Sequence, residues 1–353
     1  MILTLTSLDD LAAHAFDDII DVRAPAEYAE DHLPGAISLP VLNDEERARV
    51  GTTYTRVDRF EARKIGAALV ARNAATHLEG PLADKSGGWH PLVYCWRGGQ
   101  RSGSFATILR QVGWRVTVLE GGYRSYRRLV AEAMHDAALP HLVILLDGNT
   151  GTAKTELLEG LRTRGHQVVD LERLAAHRGS VFGAMPGGQP SQKAFEGRLA
   201  MVLAGMDPGR PVVMEAESSK IGEVQIPPSL WSAMRAAPRI RLSAPVPERV
   251  AYLLRAYADL IADPAALMPV LAALRPIQGT EKVDHWQALA ASGQFGALAE
   301  ALVVEHYDPR YTKSRARGGP GVDVALDSLA EGAMDAALDR IEAALPEVAA
   351  VPR

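Results

Sequence analysis

Twice in this sequence of 353 residues a short apolar run passes through a glycine-bearing loop into an amphipathic helix. Leu92-Val-Tyr94 reads as a buried strand, followed by Cys95-Trp-Arg-Gly-Gly-Gln-Arg101. Ser102 then opens a helix with apolar positions Phe105, Ile108, Leu109 and Val112. Leu142-Val-Ile-Leu-Leu146 runs in the same way through Asp147-Gly-Asn-Thr-Gly-Thr-Ala-Lys-Thr155 into the helix Glu156–Leu161. Strands that feed helices through such loops belong to parallel α/β sheets. The length suggests two domains. We expect an α/β domain with a parallel sheet over 1–133. A second α/β domain with a helical C-terminal part follows over 134–353, and Met134 to Pro140 connects the two.

The first loop holds the only cysteine of the chain, Cys95. Gly98 and Gly99 let the backbone curl so that successive amides point inward and make an anion cradle. Arg97, Arg101 and the following helix start should add positive potential and depress the thiol pKa. Trp96, Gln100 and Ser102 complete the loop. A thiolate so placed is a nucleophile for sulfur, selenium or phosphorus. A free cysteine is more commonly a core residue, but a core cysteine has no use for two glycines and two arginines. One cysteine also excludes an intramolecular disulfide.

The second loop is a Walker A arrangement. Backbone amides from Gly148 through Asn149, Thr150, Gly151, Thr152 and Ala153 to Lys154 should wrap a di- or triphosphate, with Lys154 as the point charge. Thr155 could hold Mg²⁺. The glycine usual before the lysine is Ala153 here. Val212 to Glu217 is a strand ending in acids, so Glu215 or Glu217 could play the Walker B part. Polar and glycine-rich segments suggest further site residues: Asp170, His177, Arg178 and Ser180, then Gln192 and Lys193, then His306 and Tyr307.

Net charge is −5, yet from Trp96 to Arg128 there are seven arginines (97, 101, 110, 115, 124, 127, 128) against the single acid Glu120. Arg310, Lys313, Arg315 and Arg317 form a second basic cluster. Patches of this kind can bind phosphate backbones. The start, Met1-Ile-Leu-Thr-Leu-Thr, lacks a charged region and a long apolar run. No stretch approaches about 18 uninterrupted apolar residues. The expectation is a cytoplasmic protein with no membrane partner.

Asp21-Val-Arg with Pro25 and Glu27, then His32-Leu-Pro-Gly-Ala-Ile with Pro40, resembles the opening signature of a rhodanese domain. Cys95 to Ser102 is similar to its active-site loop, and Leu119-Glu-Gly-Gly-Tyr123 to its closing motif. The C-x5-R spacing is also that of tyrosine phosphatases, but no acid placed to protonate a leaving alkoxide is recognisable.

Together with the P-loop, the chain resembles the tRNA 2-selenouridine synthases over nearly its whole length. Cys-Trp-Arg-Gly-Gly-x-Arg-Ser at 95–102, Asn43 to Tyr54, His177-Arg-Gly-Ser, Gln192-Lys193 and His306-Tyr-Asp-Pro carry the likeness. Departures are Ala153 and the segment Glu215-Ala-Glu-Ser-Ser-Lys220. The resemblance implies replacement of sulfur by selenium in 2-thiouridine at the wobble position of tRNA. Geranyl diphosphate first alkylates the sulfur, and selenophosphate then supplies selenium. It implies these substrates and no tightly bound cofactor, with selenophosphate synthetase as a possible source of selenophosphate. Arg124, Arg127 and Arg128 are the candidate tRNA contacts beside Cys95. The competing readings are a rhodanese-type sulfurtransferase with a regulatory nucleotide-binding P-loop domain, and a P-loop kinase with a rhodanese-like binding module. Oligomeric state is not legible.

Overall fold

The computed structural model of the chain describes residues 1–315 and 319–350. It divides into two compact units, Met1–Ala137 with Pro190–Gly205, and Ala138–Gln189 with Met206–Arg353. The α/β expectation holds for both. Among the described residues there are two parallel five-stranded sheets and one two-stranded ribbon.

In the first unit the strands are β1 (Ile2–Leu3), β2 (Asp18–Asp21), β3 (Ala36–Ser38), β4 (Pro91–Tyr94) and β5 (Thr117–Leu119), in the order β1-β5-β4-β2-β3. β4 is central and buried at all four positions, as a strand covered on both faces must be. Val93, Phe105 and Leu109 anchor the core beside it. The Asp21-Val-Arg motif builds a buried polar brace. Arg23 donates from Nη2 to Asp21 Oδ2 (2.6 Å) and to the Asp31 carbonyl (2.6 Å), and Tyr94 donates to Asp21 Oδ2 at 2.8 Å. The guanidinium lies 4.1 Å from the Tyr123 ring centroid, and Tyr123 stacks on Trp96 at 5.2 Å.

Between β3 and β4 stands a helical hairpin, Asp44–Arg56 and Arg59–Glu79. A capping box fixes its start: Glu46 N–H donates to Asn43 Oδ1 (2.7 Å) and Asn43 N–H to Glu46 Oε2 (2.9 Å). Asp58 caps the second helix by accepting from Glu61 N–H at 2.7 Å.

A single division after residue 133 does not describe the units. Helix Tyr123–Ala131 continues through the wider turn Glu132–Asp136, in which Met134 is buried, so the connector starts beyond it. Helix Gln192–Ala204 then packs with this first unit. Ser191 caps it by accepting from Ala194 N–H (3.1 Å), and Phe195, Glu196, Leu199 and Leu203 are buried. Burying Glu196 requires compensation. Arg127 supplies it with an ion pair, His135 at 3.0 Å and Gln192 at 3.1 Å.

In the second unit β6 (Val143–Gly148), β7 (Gln167–Val169), β8 (Val212–Glu215), β11 (Arg239–Ser243) and β12 (Gly321–Ala325) form a parallel sheet. Its order is β12-β11-β6-β8-β7, and β9 (Lys220–Ile221) and β10 (Val224–Gln225) make the antiparallel ribbon. β6 is central and wholly buried. The helical part forms its own apolar cluster around Leu271, Val283 and Trp286, and helix Met334–Ala349 returns Leu338, Ile341 and Leu345 to the sheet core. Among the described residues no helix is long and apolar enough to cross a membrane.

Arg127 is therefore committed to a buried carboxylate rather than free for a phosphate. Arg127→Ala should strand Glu196 and cost about 2–3 kcal/mol, the scale of a hydrogen-bonded charge. The first unfolding transition in urea should move to lower concentration. An unmoved transition would return Arg127 to the surface patch.

Candidate active site

β4 delivers Cys95 to its carboxyl end, where Gly98 (φ +64°) turns the chain into helix Gln100–Val112. Cys95 is 4% exposed. Ser102 Oγ donates to its sulfur at 3.2 Å. Burial pushes the thiol up, but the Ser102 hydroxyl, the amides of Ser102 and Arg97, and the Arg101 charge together hold it below its ordinary value. The closing motif exists for this loop. At Gly122 (φ +58°) a Cβ would stand 2.2 Å from the Cys95 carbonyl oxygen, so only glycine lets the two segments meet. Tyr123 N–H donates to that carbonyl at 2.8 Å and Arg124 N–H to the Trp96 carbonyl at 3.1 Å.

Arg101 does not point a free charge into the cradle. It grips Glu27 through Nη1 (2.7 Å) and Nη2 (3.3 Å), so Arg101 positions the helix start. The Ser102 hydroxyl and loop amides carry more of the thiolate's stabilisation than the Arg101 charge does. Arg97, Gly99 and Gln100 are exposed, and so are Arg124 and Arg128.

The second loop follows β6 and is held from several sides. Thr152 donates to the Asn149 carbonyl (2.8 Å), and Lys154 Nζ reaches back to the Gly148 carbonyl (2.8 Å). Arg249, buried, donates to the Thr150 carbonyl (2.9 Å) and pairs with both oxygens of Asp308 (2.9 and 2.7 Å). Asn149 donates to Asp308 Oδ1 at 2.8 Å. Ala153 sits in the left-handed region, φ +58° and ψ +28°, with its methyl buried. That conformation costs an L-residue about 1–2 kcal/mol. Burial of the methyl returns about 0.8 kcal/mol. Alanine therefore keeps the loop at small net cost.

A cavity of ≈ 800 Å³ opens beside this loop, lined by Thr150 to Glu156 and by Asp170, His177, Arg178, Ser180, Glu217, His306 and Tyr307. Three scattered sequence segments thus meet at one place. Burial and the neighbouring Glu217 push Glu172 up to about 8, and burial raises Glu217 against the pull of Lys154. Burial lowers Lys154, but Tyr311, Glu217, Glu172 and Asp147 outweigh it, so the ammonium is raised overall. Of the two Walker B candidates, Glu217 faces the cavity. Glu215 is fully buried and accepts from Leu171 N–H at 2.9 Å.

The remaining wall is held by its own contacts. Burial pulls His177 below its ordinary value, and its ring lies between Gly183 and Gly222. Arg178 pairs with Asp259 (3.1 and 2.8 Å) over the Tyr257 ring, and Ser180 bonds the Tyr257 hydroxyl at 3.1 Å. His306 is buried, sits 2.9 Å from Gln278 Nε2, and is pulled down to about 4 by burial and Arg310.

Gln192 and Lys193 are not at this cavity. They belong to the first unit, where Lys193 pairs with Glu30 at 2.5 Å. Of the late basic cluster, Arg310 lines the cavity and Arg317 lies outside the described residues. Glu172 and Asp308 lie in the segments Asp170-Leu-Glu and His306-Tyr-Asp-Pro that the sequence singles out. Sequence reasoning missed Tyr257 and Arg249, which carry no local signal.

An apolar groove, whose place the sequence could not give, lies nearby. A second cavity of ≈ 80 Å³ is walled by Leu260, Leu267, Phe295 and Leu302, and it shares Thr150, Leu253, Tyr257 and Tyr307 with the larger one.

Two measurements test this geometry. Ser102→Ala removes the strongest stabiliser of the thiolate, so the midpoint of an ultraviolet thiolate titration should rise. An unchanged midpoint would mean that the amides alone hold the charge. For the acid pair, Glu172 keeps its proton below about pH 8 and becomes an anion facing the loop above it. Without divalent cations, pyrophosphate affinity by calorimetry should fall as pH rises past about 8. Glu172→Gln should flatten that fall, and superimposable profiles would remove Glu172 from the site.

Residues 4–129 match the family model described as a Rhodanese-like domain, and residues 141–267 the one described as the tRNA 2-selenouridine synthase AAA domain. Three relatives bear the name tRNA 2-selenouridine synthase. That of Nitrosomonas europaea is 37% identical over 69% of this chain and 64% of its own. That of Aeromonas salmonicida is 39% identical over 72% and 68%, and that of Cupriavidus pinatubonensis 34% over 83% and 87%. The chain thus spans slightly under two thirds of the Nitrosomonas relative and most of the Cupriavidus one. With a glycine-braced thiol loop on one sheet and a clamped phosphate loop on the other, the chain belongs to the tRNA 2-selenouridine synthase family of enzymes.

Proposed function

We propose that this protein converts 2-thiouridine at the wobble position of tRNA to 2-selenouridine, through S-geranylation and then selenium transfer. The observation that carries the reading is the apolar groove that shares Thr150, Leu253, Tyr257 and Tyr307 with the phosphate-loop cavity. A cradle for phosphates beside a slot of leucine and phenylalanine suits a diphosphate joined to a hydrocarbon chain.

In the first stage the thiocarbonyl sulfur attacks C1 of geranyl diphosphate. The carbon–oxygen bond to diphosphate breaks and the uridine N3 proton is lost, leaving a thioether. Lys154 and the loop hold the diphosphate. Thr155, Glu172 and Glu217 present hard oxygen donors of the kind Mg²⁺ takes beside phosphate oxygens. Thr155 Oγ1 lies 3.5 Å from Glu172 Oε2. Among the described residues no three acidic, histidine or cysteine side chains are grouped for a metal, so a cation there would lean on the diphosphate for ligands.

In the second stage the Cys95 thiolate, held by the Ser102 hydroxyl and the amides of Ser102 and Arg97, attacks C2, and geranylthiol departs with a proton from solvent. Selenium of selenophosphate then displaces the cysteine sulfur from C2, water takes the phosphoryl group, and N3 regains its proton.

The two loops should fail separately. Lys154→Ala removes a charge-assisted contact and should weaken geranyl diphosphate binding at least about tenfold. It should block S-geranylation yet allow selenation of tRNA supplied already geranylated. Cys95→Ser should let S-geranylated tRNA accumulate while selenouridine disappears. Nucleoside mass spectrometry reads both. Normal selenation by Cys95→Ser would dismiss the thiolate. Tight ATP binding and hydrolysis in place of geranyl diphosphate binding would instead favour the nucleotide-regulated sulfurtransferase.

A further inference from the structure

The helical hairpin of the first unit ends in a feature that the two loops do not use. Around its turn, Tyr54, Val57 and Phe60 are 43%, 76% and 70% exposed. Three large apolar side chains within seven residues are an unusual thing to leave in water. Arginines interleave with them: Arg56, Arg59 and Arg63 are all exposed. The Arg59 guanidinium lies 5.6 Å from the Tyr54 ring centroid. The acids of the turn are already committed. Asp58 caps the second helix, and Glu61 bonds Lys64 at 2.8 Å. The tip is therefore a set of ring and aliphatic faces in a field of positive charge.

We propose that this tip is a docking platform for unpaired RNA bases, which stack on Tyr54 and Phe60 while Arg56, Arg59 and Arg63 meet the phosphates. Aromatic faces with interleaved arginines are how proteins hold single-stranded nucleic acid, since every base offers a π-face. Charge decides against a second copy as the occupant. A two-fold contact centred on the tip would bring each arginine against its own counterpart, and facing like charges oppose association. Phosphates meet the same arginines favourably. The inference rests on tRNA being the substrate, and it adds a surface that reads the unpaired part of that RNA.

The test is filter binding of a 2-thiouridine tRNA, and of a duplex and a single strand of matched length, across a salt series. Tyr54→Ala and Phe60→Ala should each weaken tRNA and single-strand binding about fivefold or more, the effect of losing one stacked base. Duplex binding and the salt slope should stay unchanged. Phe60→Leu keeps the apolar area but loses the flat face and should bind as weakly as Phe60→Ala. Arg56→Ala with Arg63→Ala should lower the salt slope by about 0.7 for each phosphate left without its arginine. Both rings are exposed, so thermal melting should match the parent. Parental tRNA affinity in Tyr54→Ala and Phe60→Ala would overturn the platform and leave the proposed reaction standing. A dimer that becomes a monomer in Phe60→Ala, with tRNA affinity unchanged, would give the tip to a second copy and also overturn it. A parent chain that binds no tRNA would sink both readings.

Discussion

A parallel sheet sends every strand the same way, so the loop leaving its central strand emerges between two diverging neighbours. Both sheets of this protein use that constraint. β4 and β6 are the central strands, both are wholly buried, and each ends in a glycine-bearing loop that leads into a helix. Everything chemically distinctive depends on the rigidity of those strand ends. In the first unit the buried Asp21–Arg23 pair ties β2 to Tyr94 and supports the Tyr123–Trp96 stack on the cysteine loop. In the second, Arg249 and Asp308 clamp Thr150 and Asn149.

Charge is handled differently in the two places. At Cys95 a formal charge, Arg101, is spent on Glu27, and neutral donors stabilise the thiolate at short range. At Lys154 the charge is balanced by acids that cannot all ionise, so Glu172 keeps its proton at neutral pH. The first arrangement favours an anion that the protein itself owns. The second leaves the lysine charged yet limits the opposing negative charge that a diphosphate would meet.

What was legible in the sequence was what is local. Strand, glycine loop and helix occupy consecutive residues, so both loops could be placed, including the departure at Ala153. The helix at 44–56 was legible in principle through its Asn43–Glu46 box, but its apolar pattern is weak and a periodic reading passes over it. Charges were read less well because a sequence does not say which arginine has a partner. Arg101 and Arg127 read as free cations, and each is bound to a glutamate, 74 and 69 residues away in the chain. The apolar groove draws on residues from Thr150 to Tyr307 and has no sequence signature.

Helix Gln192–Ala204 leaves the second unit between β7 and β8 and completes the first. The chain therefore passes between the units three times rather than once. During synthesis, Arg127 and His135 leave the ribosome well before Glu196, which follows only after the phosphate loop and β7 have been made. The cysteine-bearing unit is therefore not a continuous N-terminal module. A fragment cut at the sequence boundary near 133 would lose the helix that packs on Tyr123–Ala131 and leave Arg127 without Glu196, and aggregation of such a fragment would reflect the missing helix rather than any defect in its sheet.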